Sequence, residues 1–218
     1  MGKEDSLVIH EIYVSIQGES SHAGLPCTFV RTTGCNLRCS WCDTPQAFYG
    51  GRRMKRSEVL ASALATGTDL IELTGGEPLL QPGVRVLLGE LCDAGRTVLL
   101  ETSGEADVAG LDPRVHKIMD IKAPGSGESH RNRWSNLEHL TDNDEVKFVL
   151  ADRADYEFMR TVLRERGLSR KTRQVLASTV FGRLAPRDLV EWVVADNLRV
   201  RVQLQLHKHI WPADAQGV

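Results

Sequence analysis

Short apolar runs rich in β-branched residues alternate along this chain with helical stretches that stop at glycine. The runs are CTFVRTT (27–33), LIELTG (70–75), TVLLETSG (97–104), KIMDIKA (117–123), EVKFVLAD (145–152), QVLASTV (174–180) and RVRVQLQLH (199–207). Helical patterns fall between them at 57–66, 83–94, 153–166 and 186–196. Ser57 is placed to cap the first, and Gly95 and Gly167 to end the second and third. LIELTG is nearly all apolar, as a strand buried on both faces must be. Strands separated by helices pair in parallel through right-handed crossovers. An α/β protein is therefore predicted. Its 218 residues suffice for one full hydrophobic core, read here as one domain over 1–218.

The unusual sequences all follow predicted strands. A cysteine loop (34–51) follows the first, GGEP follows LIELT, SG follows LLET and APGSG follows IMDIK. A parallel sheet or barrel carries its chemistry at the C-terminal ends of its strands, so this edge is the expected active site. The segment 123–144 is long for a connection and holds Arg131, Arg133 and Trp134. It is read either as a lid over a ligand or as a solvated surface loop. Net charge is −2, so no global field draws nucleic acid or an anionic membrane. No run approaches the roughly 18–20 apolar residues that cross a bilayer, and the charged start MGKEDSLVIHEIYV lacks a signal-peptide core. A cytoplasmic location is expected. Thiols stay reduced there, which favours metal or redox chemistry over disulfides.

Three of the five cysteines sit inside GCNLRCSWCDTP (34–45), as Cys35, Cys39 and Cys42 in a C-x3-C-x2-C spacing. A structural zinc site needs four ligands, usually from two pairs, and no second pair follows. Cys27 and Cys92 lie in a predicted strand and helix, and the nearby histidine is His22. A [4Fe–4S] cube also has four corners. Three thiols on one loop would fill three and leave one iron open for a ligand. Zinc remains an alternative on the residues alone.

C-x3-C-x-aromatic-C resembles the signature of the radical S-adenosylmethionine superfamily, and CNLRCSWC matches it at each position. EIYVSIQGES, FVRTTGCNLRCSWCDT, ELTGGEPLLQ, LLETSG, MDIKAPGSG, DEVKFVLADRADYEF and VQLQLHKHIW, together spanning nearly all of 9–211, resemble the 7-carboxy-7-deazaguanine synthases. That resemblance implies an incomplete, modified (β/α) barrel, usually dimeric. It implies ring contraction of 6-carboxy-5,6,7,8-tetrahydropterin with release of ammonia, feeding queuosine and other 7-deazapurines. It implies S-adenosylmethionine, Mg²⁺ and a reduced flavodoxin- or ferredoxin-type donor, with no direct nucleic-acid or membrane partner.

Residue by residue, the resemblance assigns Cys35, Cys39 and Cys42 to the cluster and Thr44 to Mg²⁺. Trp41, Cys42 and Asp43 would form the platform for adenine. Gly76 would let backbone approach the cofactor, Glu77 would receive its ammonium and Glu101 its ribose hydroxyls. Ser103, Lys122 and the segment Ser178, Thr179, Val180 and Phe181 would complete the cofactor site. Lys122 is alternatively a partner for Asp120 or Glu101. Ile16, Gln17 and Gly18 would form the substrate loop, with Glu19 reading the guanidine-like edge. Arg31 would meet the substrate carboxylate, and Thr74, Gln205 and His207 would line the pterin pocket. An ion-paired Arg31, and a surface stripe for Gln205 and His207 on one face of a strand, are the plain alternatives. The tail 208–218 has no assigned place. Two further functions share the cysteines: activation of a glycyl-radical protein, which would not need IQGE, and a zinc-bearing interaction module.

Overall fold

The computed structural model describes residues 4–218. Its elements are β1 (Ser6–Ile16), β2 (Pro26–Thr32), β3 (Arg52–Lys55), α1 (Arg56–Ala65), β4 (Leu70–Gly75), α2 (Pro82–Asp93), β5 (Thr97–Thr102) and β6 (His116–Asp120). There follow β7 (Glu145–Leu150), α3 (Arg153–Arg166), β8 (Gln174–Thr179), α4 (Pro186–Ala195), β9 (Arg201–Val202) and a four-residue α5 (His207–Ile210). Among the described residues the strands make one nine-stranded sheet, ordered β3-β1-β2-β4-β5-β6-β7-β8-β9. From β2 to β9 every neighbour is parallel, whereas β1 is antiparallel to both β2 and β3. The edge strands β3 and β9 do not pair, so the barrel is open.

Strand alternation sorts the side chains into a helix-covered face and a pocket face. Ile71, Leu73, Val98 and Leu100 pack against Leu87, Leu88 and Leu91 of α2. Val146, Phe148, Val175 and Ala177 pack against Tyr156 and Met159 of α3 and Leu189 and Val193 of α4. Fully burying one such leucine contributes about 1.5–3 kcal/mol. A smaller cluster of Cys27, Phe29, Leu70, Leu99 and Ile118 fills the interior beneath the pocket.

LIELTG and the helix 153–166 form where the pattern puts them, and α3 ends at Gly167 with φ 61°. Two strands fall outside the predicted pattern, and three expectations need correction. The polar-interrupted segment 6–16 and the charged RRMK at 52–55 are strands; each lies on the side of the sheet where pairing is antiparallel. Ser57 lies inside α1, whose start is closed instead by Glu58 accepting from Lys55 N at 3.0 Å. The last strand is Arg201–Val202 alone, because the chain then leaves the sheet and Leu206 N donates to Gly18 O at 3.0 Å. Gln205 and His207 therefore do not alternate along a strand. Finally, 123–144 is neither lid nor loose loop but three short 3-10 turns packed on the sheet, with Asn136 and Leu137 buried. Arg131 pairs with Glu105 at 2.8 Å, Arg133 Nε donates to Glu105 O, and Arg166 lies over the Trp134 ring, so these side chains hold the segment down.

Candidate active site

One concave pocket opens at the C-terminal ends of the parallel strands. Cys35, Cys39 and Cys42 line it, with Trp41, Asp43 and Thr44 from the same loop. Backbone bonds shape that loop: Gly34 N to Ala47 O at 2.8 Å, Cys42 N to Cys39 O at 3.1 Å, and Ser40 N to Ser126 O at 3.0 Å. The GG of the GGEP stretch packs directly beneath. A Cβ on Gly76 would lie 2.2 Å from Gly34 O and 2.8 Å from the Cys35 Cβ, so only glycine fits. Its first use is thus to seat β4 against the cysteine loop.

No group of three or more His, Cys, Asp or Glu is placed to hold a single metal ion among the described residues. A cluster does not need that convergence, because each thiolate binds its own iron. Three half-buried, unbridged thiols facing one pocket suit that ligand set. Burial pushes all three thiols up, Cys39 to about 11. Metal binding must displace those protons.

Several expected cofactor residues meet at this edge. Glu101, Ser103, Lys122, Val180 and Phe181 line the pocket. Lys122 Nζ bonds Asp120 at 2.7 Å; burial opposes its charge, but Asp120 and nearby Cys39 outweigh that and raise it. Trp41 carries the Arg183 guanidinium 5.6 Å from its ring centre. Ser178 is fully buried behind the pocket with its hydroxyl unpaired, and Thr179 faces an adjacent hollow. The Glu77 carboxylate, expected to receive the cofactor's ammonium, is engaged within the protein. It is fully buried and accepts from Leu79 N, Thr102 Oγ1, Ser103 N and Ser103 Oγ at 2.6–3.0 Å. Those donors fill its oxygens and tie the GGEP turn to the end of β5.

The substrate loop follows β1 at the N-terminal ends of the parallel strands, where Ile16 pairs with Pro26. Ser21 N reaches Glu145 of β7, and Gly18 packs so closely under His207 that a Cβ there would lie 2.4 Å from Nδ1. Ile16, Gln17, Gly18, Glu19, Arg31, Thr74, Gln205 and His207 all line the pocket. Gln205 Nε2 donates to Glu19 Oε1 at 2.7 Å. Arg31 bonds Glu11 and the Tyr13 hydroxyl, each at 2.7 Å. Thr44 Oγ1 donates to Asp43 at 3.0 Å, and Asp43 also pairs with Lys208 at 3.1 Å. Burial opposes the Asp43 charge, but Lys208 and Lys147 hold it well below the usual carboxylate range.

Residues absent from the sequence reading dominate the floor. Lys147 of β7, nearly inaccessible, bonds Glu19 at 2.8 Å and also Glu101. Burial disfavours its charge, but Glu101, Glu19 and Asp120 outweigh that and keep it protonated. Burial likewise opposes ionisation of Glu101, but Lys147 holds its carboxyl below the ordinary range. Glu72 of β4 is also here, bonded by Gln17 Nε2. The signal was present: a lysine inside EVKFVL and an acid inside LIELTG each interrupt an otherwise buried strand. The tail is placed too, with Ala213, Ala215, Gln216, Gly217 and Val218 lining the pocket.

The sequence profile of the Radical SAM superfamily matches residues 29–125. A 7-carboxy-7-deazaguanine synthase of Koribacter versatilis is 48% identical over 96% of this chain and 99% of its own. The Chlorobaculum tepidum protein of the same name is 47% identical over the full length of both. The chain belongs to the 7-carboxy-7-deazaguanine synthase family. Members are radical S-adenosylmethionine lyases, which implies a [4Fe–4S] cluster and S-adenosylmethionine. The crystal structure of QueE from Escherichia coli superposes with a TM-score of 0.73 at 22% identity, covering 93% of this chain and 95% of that one, which establishes the shared fold.

Proposed function

We propose that this chain ring-contracts 6-carboxy-5,6,7,8-tetrahydropterin to 7-carboxy-7-deazaguanine with release of ammonia, the reaction of its family. The observation that carries the reading is the meeting of two sets in one pocket: three thiols at the strand ends and the 16–19 loop over a charged floor. Cys35, Cys39 and Cys42 would hold the [4Fe–4S] cluster, next to the site of S-adenosylmethionine. Bound there, cluster and cofactor supply hydrogen-atom abstraction, chemistry no side chain offers.

The chain's own groups bind and orient. Trp41, Cys42 and Asp43 form the adenine platform, Ser103, Lys122 and Glu101 face the cofactor, and Gly76 gives backbone access. Val180 and Phe181 close that side, with Ser178 and Thr179 behind them. Ile16, Gln17 and Gly18 frame the substrate, while Thr74, Glu19, Gln205 and His207 wall it in. Arg31 keeps its charge through Glu11 and Tyr13 and turns a planar cation toward the pocket for the substrate carboxylate. Thr44 offers its hydroxyl to Mg²⁺, a hard cation that takes one or two protein oxygens and several substrate or water oxygens. Residues 1–218 work as one domain, paired as a homodimer in the cytoplasm and reduced by a flavodoxin- or ferredoxin-type protein.

The test is anaerobic turnover with and without Mg²⁺, in the wild type and in Thr44→Ala. Magnesium should raise wild-type turnover and have a much smaller effect on Thr44→Ala. Equal rates in all four arms would remove Thr44 from the metal site.

A further inference from the structure

The pocket floor carries an acid that the cysteine loop and the strand-end motifs do not use. Glu72 sits on β4, 2% exposed, and lines the pocket. Its ladder neighbours are Phe29 on β2 and Leu99 on β5, both apolar. Gln17 Nε2 donates to its Oε2, and this is its one hydrogen-bonding partner among the described residues. The Gln17 amide is fixed in this orientation, because its Oε1 accepts from Glu19 N at 2.9 Å. The nearby cations are engaged elsewhere: Lys147 by Glu19 and Glu101, Arg31 by Glu11 and Tyr13.

We propose that Glu72 is a substrate-contacting, specificity-determining residue: its carboxyl pairs with the amino-pyrimidinone edge of the bicyclic substrate, while Gln17 holds Oε2 in place. This rests on the functional reading above. An acid buried without a cation, beside Glu101 and Glu19, keeps its proton, and burial is the largest cause. With Oε2 accepting from Gln17, a neutral carboxyl still offers its Oε1–H as a donor and the second lone pair of Oε2 as an acceptor, in one plane. The amino-pyrimidinone edge presents the complementary pair. Arg31 stands one alternate position further along the adjacent strand, paired in register with Thr74. A planar molecule with a hydrogen-bonding edge at one end and a carboxylate at the other fits between them. Glu19 is less suited to that edge, since Lys147 and Gln205 already occupy both its oxygens.

The experiment is anaerobic calorimetry of 6-carboxy-5,6,7,8-tetrahydropterin, and of its analogue lacking the 2-amino group, on protein loaded with cluster and S-adenosylmethionine. Wild type should prefer the parent by about 100-fold, because a ligand lacking the amino group leaves a buried carboxyl oxygen unpaired. Glu72→Leu should weaken the parent by about 10- to 100-fold and shrink the preference below about 3-fold. Glu72→Gln, which keeps one donor and one acceptor, should retain the preference. Glu72→Met gives the same readout if the leucine variant does not load. Equal weakening of both ligands would show a merely structural role and overturn the proposal, as would no weakening. Wild type that neither binds nor converts the parent overturns the functional reading and this inference together, an outcome seen before any variant is made.

Discussion

The cysteine loop and the pocket floor face the same space but are built in opposite ways. The loop is a local object. Three thiols lie within eight residues, and backbone bonds such as Gly34 N to Ala47 O and Cys42 N to Cys39 O set its shape. The floor is assembled from across the chain by side chains. Gln17 meets Glu72 55 residues away, Lys147 meets Glu19 128 residues away, and Gln205 meets Glu19 186 residues away. A local device can be carried by many proteins with different substrates. A floor built by sheet register belongs to one arrangement of strands, so it is where substrate choice should reside.

That contrast predicts different failures. Cys39→Ala, on the local side, should abolish turnover and bound iron while leaving thermal unfolding of the unloaded protein nearly unchanged. Lys147→Met, on the distributed side, should do the reverse first: it strands Glu101 and Glu19 and should cost about 3–5 kcal/mol of stability by denaturant unfolding. Adding Glu101→Gln should recover part of that loss. Glu77→Gln falls between the two. If its carboxylate is the tie seen here, the variant should lose about 1.5–3 kcal/mol, because charged hydrogen bonds to Ser103 and Thr102 are weakened. Loss of cofactor affinity without loss of stability would restore it as an ammonium site.

A smaller effect depends on pH. Glu72 is held above the ordinary carboxyl range by burial, then by Glu101 and Glu19, which Lys147 and Arg31 only partly offset. The unfolded chain releases this proton as pH rises past the ordinary range while the folded chain keeps it. Folding stability is therefore reduced at neutral pH relative to acid. Glu72→Gln should melt above wild type at pH 8, with the gap closing as pH falls toward 4. A gap that widens in acid would mean the acid is ionised in the fold. The smallest effect lies at the start of α1: Glu58→Ala should cost about 0.5–1 kcal/mol and Ser57→Ala less than about 0.5.

The same division explains what could be read from the sequence. LIELTG, α3 and its Gly167 stop were legible because periodicity and a left-handed cap are local signals. The cysteine loop was legible for the same reason. The brevity of β9 was not, since it depends on Leu206 reaching Gly18 across the molecule. The internal bonds of Glu77 were not legible because its four donor groups come from its own turn and from the end of β5, which only the fold brings together. Lys147 and Glu72 were overlooked although each breaks an apolar run. A charge in the middle of a buried parallel strand is costly unless the fold supplies a partner, and that cost marks such residues as site candidates.

The central claim is that a radical-generating loop and a pterin-reading floor meet in this one pocket. The direct measurement is product analysis by mass spectrometry after anaerobic incubation of reduced, cluster-loaded protein with S-adenosylmethionine, Mg²⁺ and 6-carboxy-5,6,7,8-tetrahydropterin. The account predicts 7-carboxy-7-deazaguanine and ammonia in equal amounts. Cleavage of S-adenosylmethionine with no deazapurine formed would contradict it, leaving the loop as read here and the floor assigned to the wrong substrate.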